Sequence, residues 1–186
     1  MSDKQCCFIG HRVINVTDEL KIRLYEYVED LIINHNVKRF LFGSRSEFNT
    51  LCHETVDLLK NKYPYIVRVF YACKHESAII ERDKQRTERA ISSVLNKDIK
   101  FMCFDEEYAH KTKFSAGRAA YVERNEAMID DSDFCVFYYN GNYRPQRRKY
   151  SKGDLTSYLP DSGTQKAYLY AKRKGKSIEN FYCESI

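Results

Sequence analysis

The sequence predicts an α/β fold, one domain with a mostly parallel sheet and helices on both faces. Short apolar runs alternate with segments of helical spacing along the whole chain. The first of those runs lacks the in–out alternation of a half-exposed strand, as expected where both faces of a sheet are covered. The length, 186 residues, suits a single domain that buries roughly 70% of its unfolded surface and is too short for two full ones.

The first strand is read from Gln5 to Ile9 and ends in Gly10-His11-Arg12. Thr17-Asp18-Glu19 supplies a cap and an acidic first turn. Leu20, Leu24, Tyr27, Val28, Leu31 and Ile32 then follow at helical spacing. Arg39 to Phe42 is the second strand, and Gly43-Ser44-Arg45 turns the chain into a helix marked by Leu51, Thr55, Leu58 and Leu59. Pro64 helps to close that helix. Tyr65 to Cys73, rich in β-branched and aromatic residues, is the third strand.

Glu81 to Lys97 is helical in composition, and Ile99 to Phe104 is read as the fourth strand. A connection from Asp105 to Ser115 leads to a helix from about Ala116 to Ile129, with Ala119, Val122 and Ile129 on its apolar side. Phe134 to Tyr139 is the fifth strand. The Gly- and Lys/Arg-rich stretch that follows is a surface loop, with a basic insertion at about 141–161. Ser162-Gly163-Thr164 opens the last helix, which closes with Lys172-Arg173-Lys174 and a C-cap Gly175. Ser177 to Tyr182 is the sixth strand. In such a sheet a ligand binds outside the carboxyl ends of the strands, where strand order reverses.

Composition narrows the function classes. Hydrophobic residues make up 43% and aromatics 14% of the chain, which is a folding composition rather than a disordered one. A net charge of +5 suits phosphate-bearing ligands but is too weak to argue for nucleic acid. The seven Cys form no Cys-x-x-Cys pair and no Cys/His ligand spacing, so no metal site is expected. Several lie in apolar runs and read as reduced thiols packed as small hydrophobes. No apolar run approaches the roughly 20 residues that span a bilayer. The opening residues do not read as a targeting peptide, so a cytoplasmic location is expected. No obligatory cofactor is expected. A homodimer is compatible with this fold class.

Three strand ends carry glycine: Gly10-His11-Arg12, Gly43-Ser44-Arg45 and Gly163-Thr164. Backbone N–H groups at a strand-to-helix turn favour an anion, most often a phosphate. Arg12 and Arg45 can each present a charged fork to it. Any one such turn is more often ordinary than functional; three gathered at one edge argue for a ligand site. Arg124, two positions from Val122, reads by spacing alone as a surface residue. His11 and His53 read as hydrogen-bonded structural histidines, with no paired carboxylate or nucleophile in view. Arg144, Arg147, Arg148, Lys149 and Lys152, with Tyr143 and Tyr150, form a solvated loop or a surface for single-stranded nucleic acid. Neither a Gly-x-Gly-x-x-Gly after the first strand nor a phosphate-loop Gly-Lys-Ser/Thr motif is present.

Taken together the motifs resemble the YpsA-like branch of the SLOG superfamily. Ile9-Gly10-His11-Arg12 is similar to its Thr-Gly-His-Arg opening. Gly43 to Glu54 has the outline of its Gly-Gly-Ala-x-Gly-Phe-Asp-x-x-Ala-x-Glu turn, and Tyr71-Ala72-Cys73 resembles its Pro-Cys strand end. Arg124-Asn125-Glu126-Ala127-Met128-Ile129-Asp130-Asp131-Ser132-Asp133 resembles its Arg-Asn-x-x-Met-Val-Asp-x-Ser-Asp segment, and Ser162-Gly163-Thr164 its Gly-Gly-Thr helix start.

The resemblance implies a single Rossmann-like three-layer domain. It would bind a nucleotide or an NAD/ADP-ribose-type ligand, as a sensor or regulatory protein. Gly10, His11, Arg12, Gly43, Ser44, Arg45, Phe48, Asn49, Arg124, Asn125, Ser162, Gly163 and Thr164 would line the site, with Arg124 turned toward phosphate or ribose. The alternative is an N-glycosidic bond hydrolase, with Glu47 or Glu123 as its carboxylate. Asn49 stands where the family has Asp, Glu47 where it has Gly, and Ser162 where it has Gly. Gln165 and Lys166 stand where the hydrolases carry Glu, so the resemblance implies binding more than hydrolysis.

Overall fold

The computed structural model describes residues 3–43, 46–73, 104–109, 113, 118–143 and 162–183. The expected helix at 81–97, most of the expected strand at 99–104 and the basic loop at 144–161 lie outside the described residues. So do Ser44 and Arg45.

Cys6 to Ile9 are buried without a break, so strand β1 (Lys4–Gly10) meets apolar layers on both faces. Odd and even residues divide between them, as the pleat requires. Cys6 and Phe8 join a core with helix α1 (Asp18–Ile33) and helix α2 (Glu47–Lys62). Cys7 and Ile9 join the opposite core, with helix α3 (Arg118–Asp130) and helix α4 (Gly163–Arg173).

The remaining strands are β2 (Val37–Phe42), β3 (Val67–Ala72), β4 (Glu106–Ala109), β5 (Phe134–Tyr138) and β6 (Ser177–Asn180). The six-stranded sheet has the order β4-β3-β2-β1-β5-β6, and all its pairings are parallel. The expected three-layer architecture is therefore present, and every strand sends its carboxyl end to the same edge. From β1 the chain builds outward through β2, β3 and β4, then returns to the other side of β1 with β5 and β6. Strand order thus reverses between β1 and β5.

Several boundaries move from the sequence expectation, for local reasons. Helix α2 starts at Glu47 rather than near Leu51, because Ser46 caps it by accepting from the Asn49 N–H at 3.2 Å. Strand β4 occupies 106–109, inside the stretch expected to be a connection. Among the described strands it lies at the sheet edge, and its Glu106 is held by a two-pronged pair with Arg39 (2.6 and 3.0 Å) rather than by burial. No apolar run announces it. On α3 the buried residues are Ala120, Arg124, Met128 and Ile129, not the expected Ala119 and Val122. The face is turned by one residue. Among the described residues, no helix is long and apolar enough to cross a membrane.

Candidate functional site

The carboxyl ends of β1 and β5 meet at the point of strand reversal, and His11 sits on that junction. Its N–H donates to the Tyr138 carbonyl at 3.3 Å, extending the β1–β5 ladder by one residue. The Asn140 N–H donates to His11 Nε2 at 2.9 Å. The Asn140 carbonyl lies 3.3 Å from the same nitrogen, so the tautomer sets whether Nε2 accepts from the Asn140 N–H or donates to its carbonyl. Burial lowers the His11 pKa, against the backbone contact at Asn140, which raises it. His11 is 2% exposed, and its Nδ1 has no hydrogen-bond partner among the described residues.

The chain after β5 turns sharply over this histidine. Asn140 accepts from Tyr143 N–H at its carbonyl (3.1 Å) and from Asn142 N–H at Oδ1 (2.7 Å). That turn lays the Tyr143 ring on His11, centroids 3.9 Å apart and planes 17° apart.

The two nearer glycines are spent on packing. A Cβ on Gly10 would lie 2.4–2.5 Å from three atoms of Phe48, a fully buried core residue in the first turn of α2. A Cβ on Gly43 would lie 2.5 Å from Met128 Sδ and 2.7 Å from Arg124 Nε. Arg124 is therefore no surface residue: it is 1% exposed, with its stem across Gly43 and its guanidinium 5.1 Å from the Tyr121 ring. Spacing could not find this, because the slot that admits Arg124 is the missing side chain of a residue eighty positions earlier. Its neighbour Asn125 is half-buried, with Oδ1 3.4 Å from an Arg124 terminal nitrogen. Gly163 differs: no atom lies within 4 Å of where its Cβ would be. Ser162 caps α4 by accepting from Gln165 N–H at 3.0 Å, and Thr164 in the first turn is buried.

Other expected site residues hold the scaffold. Asn49 is buried and donates from Nδ2 to Ser46 Oγ at 3.0 Å. The exposed Glu47 accepts from Ile14 N–H at Oε2 (2.9 Å), and its own N–H donates to the Arg12 carbonyl (3.0 Å). The loop between β1 and α1 is thereby tied to the start of α2 through the carboxylate offered as a catalytic group. Glu123 is half-buried on α3.

This loop divides two open clefts. One, of about 400 Å³, is lined by Arg12, Val16, Lys21, Glu47, Glu54 and the start of α2. The other, of about 410 Å³, is lined by His11, Val13, Ile14, Asn15, Tyr138, Asn140, Tyr143 and Tyr182. Sequence reasoning named Arg12 and His11 but missed Lys21, Asn140 and the contact of Tyr143 with His11. The usable signal was Asn140-Gly141 placed directly after the fifth strand, a turn that must fold back over the junction. Among the described residues no group of three or more His, Cys, Asp or Glu could hold a metal ion. Burial pushes the Cys6 and Cys52 thiols well up, which makes them packing residues rather than nucleophiles.

Compared with protein-family models and with curated proteins, the chain matches none.

Proposed function

We propose that this protein binds a nucleotide or an NAD/ADP-ribose-type ligand at the carboxyl edge of the sheet, as a sensor or regulatory protein. The observation that carries the reading is topological. The ends of β1 and β5, the point where strand order reverses, lie at the same edge of the sheet as the glycine-opened start of α4. The motif resemblance to the SLOG superfamily supports the same ligand class.

In this reading the phosphate sits on the first turn of α4, at Ser162, Gly163 and Thr164, where Gly163 leaves open space. First-turn N–H groups have no partner within the helix and favour an anion. Arg12, exposed on the β1–α1 loop, is the cation of the site. Arg124 and Met128 fill the space where a Gly43 side chain would be.

The test is a thermal-shift series with AMP, ADP-ribose, NAD and ribose 5-phosphate, each mixture then checked by chromatography for breakdown. A ligand at 100 times its Kd adds about 2.7 kcal/mol, or roughly 5–11 °C for a chain of this length. A shift with intact ligand is the expected result, and Thr164→Pro or Arg12→Ala should reduce it. Release of free base would replace the sensor reading with the hydrolase one. Glu47→Gln and Glu123→Gln would then decide which carboxylate acts. No shift with any phosphate-bearing compound overturns the proposal.

A further inference from the structure

We propose that the cleft over His11 takes the uncharged heterocyclic ring of a nucleoside-type ligand, with Tyr143 as its stacking face. This rests on the nucleotide reading above and assigns its ring end.

The lining of the cleft selects the chemistry. None of the eight described residues that line it is Asp, Glu, Lys or Arg, whereas the described lining of the neighbouring cleft carries two cations and two carboxylates. This described wall of tyrosines, aliphatic side chains and two asparagines suits a flat, polar-edged ring. Its volume, about 410 Å³, leaves room for a base with part of its ribose. Tyr182 stands edge-on to Tyr138 at 5.6 Å, so two more rings bound the far wall.

The Tyr143 ring is fixed in advance. The Asn140 turn sets its backbone, and the stack on His11 sets its side chain. A base that stacks on a ring already ordered loses less to side-chain immobilisation than one that must order it. His11 is then a positioning residue: neutral, buried and held by Asn140, it supports Tyr143 from beneath. The arrangement also explains why two clefts flank one short loop: residues 11, 13, 14 and 15 face the ring side, while Arg12 and Val16 face the charged side.

The experiment titrates the full chain with adenosine, guanosine, cytidine and uridine, and separately with ribose 5-phosphate. Binding is followed by calorimetry and by the imidazole NMR signals of His11. At least one nucleoside should saturate and shift the His11 signals. Tyr143→Ser should weaken it by between about fivefold and a hundredfold, the range for loss of a base–aromatic stack. Tyr143→Phe should bind like the parent, which separates stacking from a folding defect. Ribose 5-phosphate should bind Tyr143→Ser and the parent alike.

No His11 shift with any nucleoside overturns the ring site, as does equal nucleoside affinity in Tyr143→Ser and the parent. A response to ribose 5-phosphate but to no nucleoside overturns the ring site and leaves the phosphate site standing. Tyr143-dependent nucleoside binding that gains nothing from an added phosphate supports the ring site and removes the phosphate one.

Discussion

Gly10→Ala separates a packing glycine from a ligand-binding one. If Gly10 exists to let a ligand approach, an alanine there leaves stability intact and costs affinity. If it exists to admit Phe48, the alanine costs stability in the absence of any ligand. The geometry argues the second. The added carbon would lie 2.4 Å from Phe48 Cδ1 and 2.5 Å from Cβ and Cγ, where ordinary contact begins at 3.4 Å. Rotating the Phe48 ring relieves Cδ1 alone. Cβ is fixed to the backbone of α2, so the first turn of that helix must move.

Overpacking of this kind costs about 1–3 kcal/mol. The loss of unfolded-state freedom on replacing glycine returns about 0.4–1 kcal/mol of that. From the middle of each range the net is about 1.3 kcal/mol, or a melting temperature lower by roughly 3–5 °C. Urea and thermal denaturation of ligand-free protein measure it. Phe48→Ala supplies the control. Alone it should cost about 3–5 kcal/mol, and with Gly10→Ala the losses should fall short of their sum, because the ring that clashes is gone. An unchanged or higher melting temperature for Gly10→Ala, or strict additivity with Phe48→Ala, would refute the packing account.

The other predictions concern the same scaffold. His11 has its folded pKa lowered by burial, so the unfolded chain takes up the proton first. Its contribution is fully present above the unfolded value near 6.5 and is lost as pH falls below that toward the folded value. The urea midpoint should therefore drop between pH 7.5 and 5.5, and His11→Gln should flatten that drop. Ser46→Ala removes the cap of α2 and the acceptor for Asn49 Nδ2; a loss of about 1–2 kcal/mol is expected in urea denaturation. Asp105 resists its partial burial because Arg68 and Lys60 bind it, which holds its carboxyl well below the usual range. Asp105→Asn should cost about 1–3 kcal/mol at pH 7, since it strips the nearly buried Arg68 of a carboxylate partner. The gap to the parent should close as the pH is brought below 4.

What the sequence made legible follows from which signals are local. Unbroken apolar runs such as Cys6 to Ile9 can only be strands covered on both sides, so the layer architecture was readable without coordinates. Helix α1 announced itself through Thr17 and its buried stripe, because cap and stripe lie within one segment. Strand β4 was not readable. It is held to β3 by backbone pairing, and Arg39 from β2 satisfies its Glu106; neither is written in residues 106–109. The candidate site shows the same division. That His11 and Arg12 lie at a strand end was plain from their position. That Gly10 and Gly43 serve Phe48 and Arg124 was not, since the residue that uses each space comes from a helix elsewhere in the chain.

The central place of β1 also governs the order in which the molecule can assemble. Its β2 side is filled from the next forty residues, so β1, α1, β2, α2 and β3 can associate as soon as they leave the ribosome. Its other side waits for β5, and the clasp that seats it, Gln5 N–H on Asp133 Oδ2, joins residues 128 positions apart. At translation speeds of about 5–20 residues per second that wait is on the order of ten seconds. Throughout it, a nascent chain carries a bare edge on its innermost strand, with Cys7 and Ile9 uncovered by α3 and α4. The strand that will be most deeply enclosed in the finished protein is thus the one most in need of a chaperone while the protein is being made.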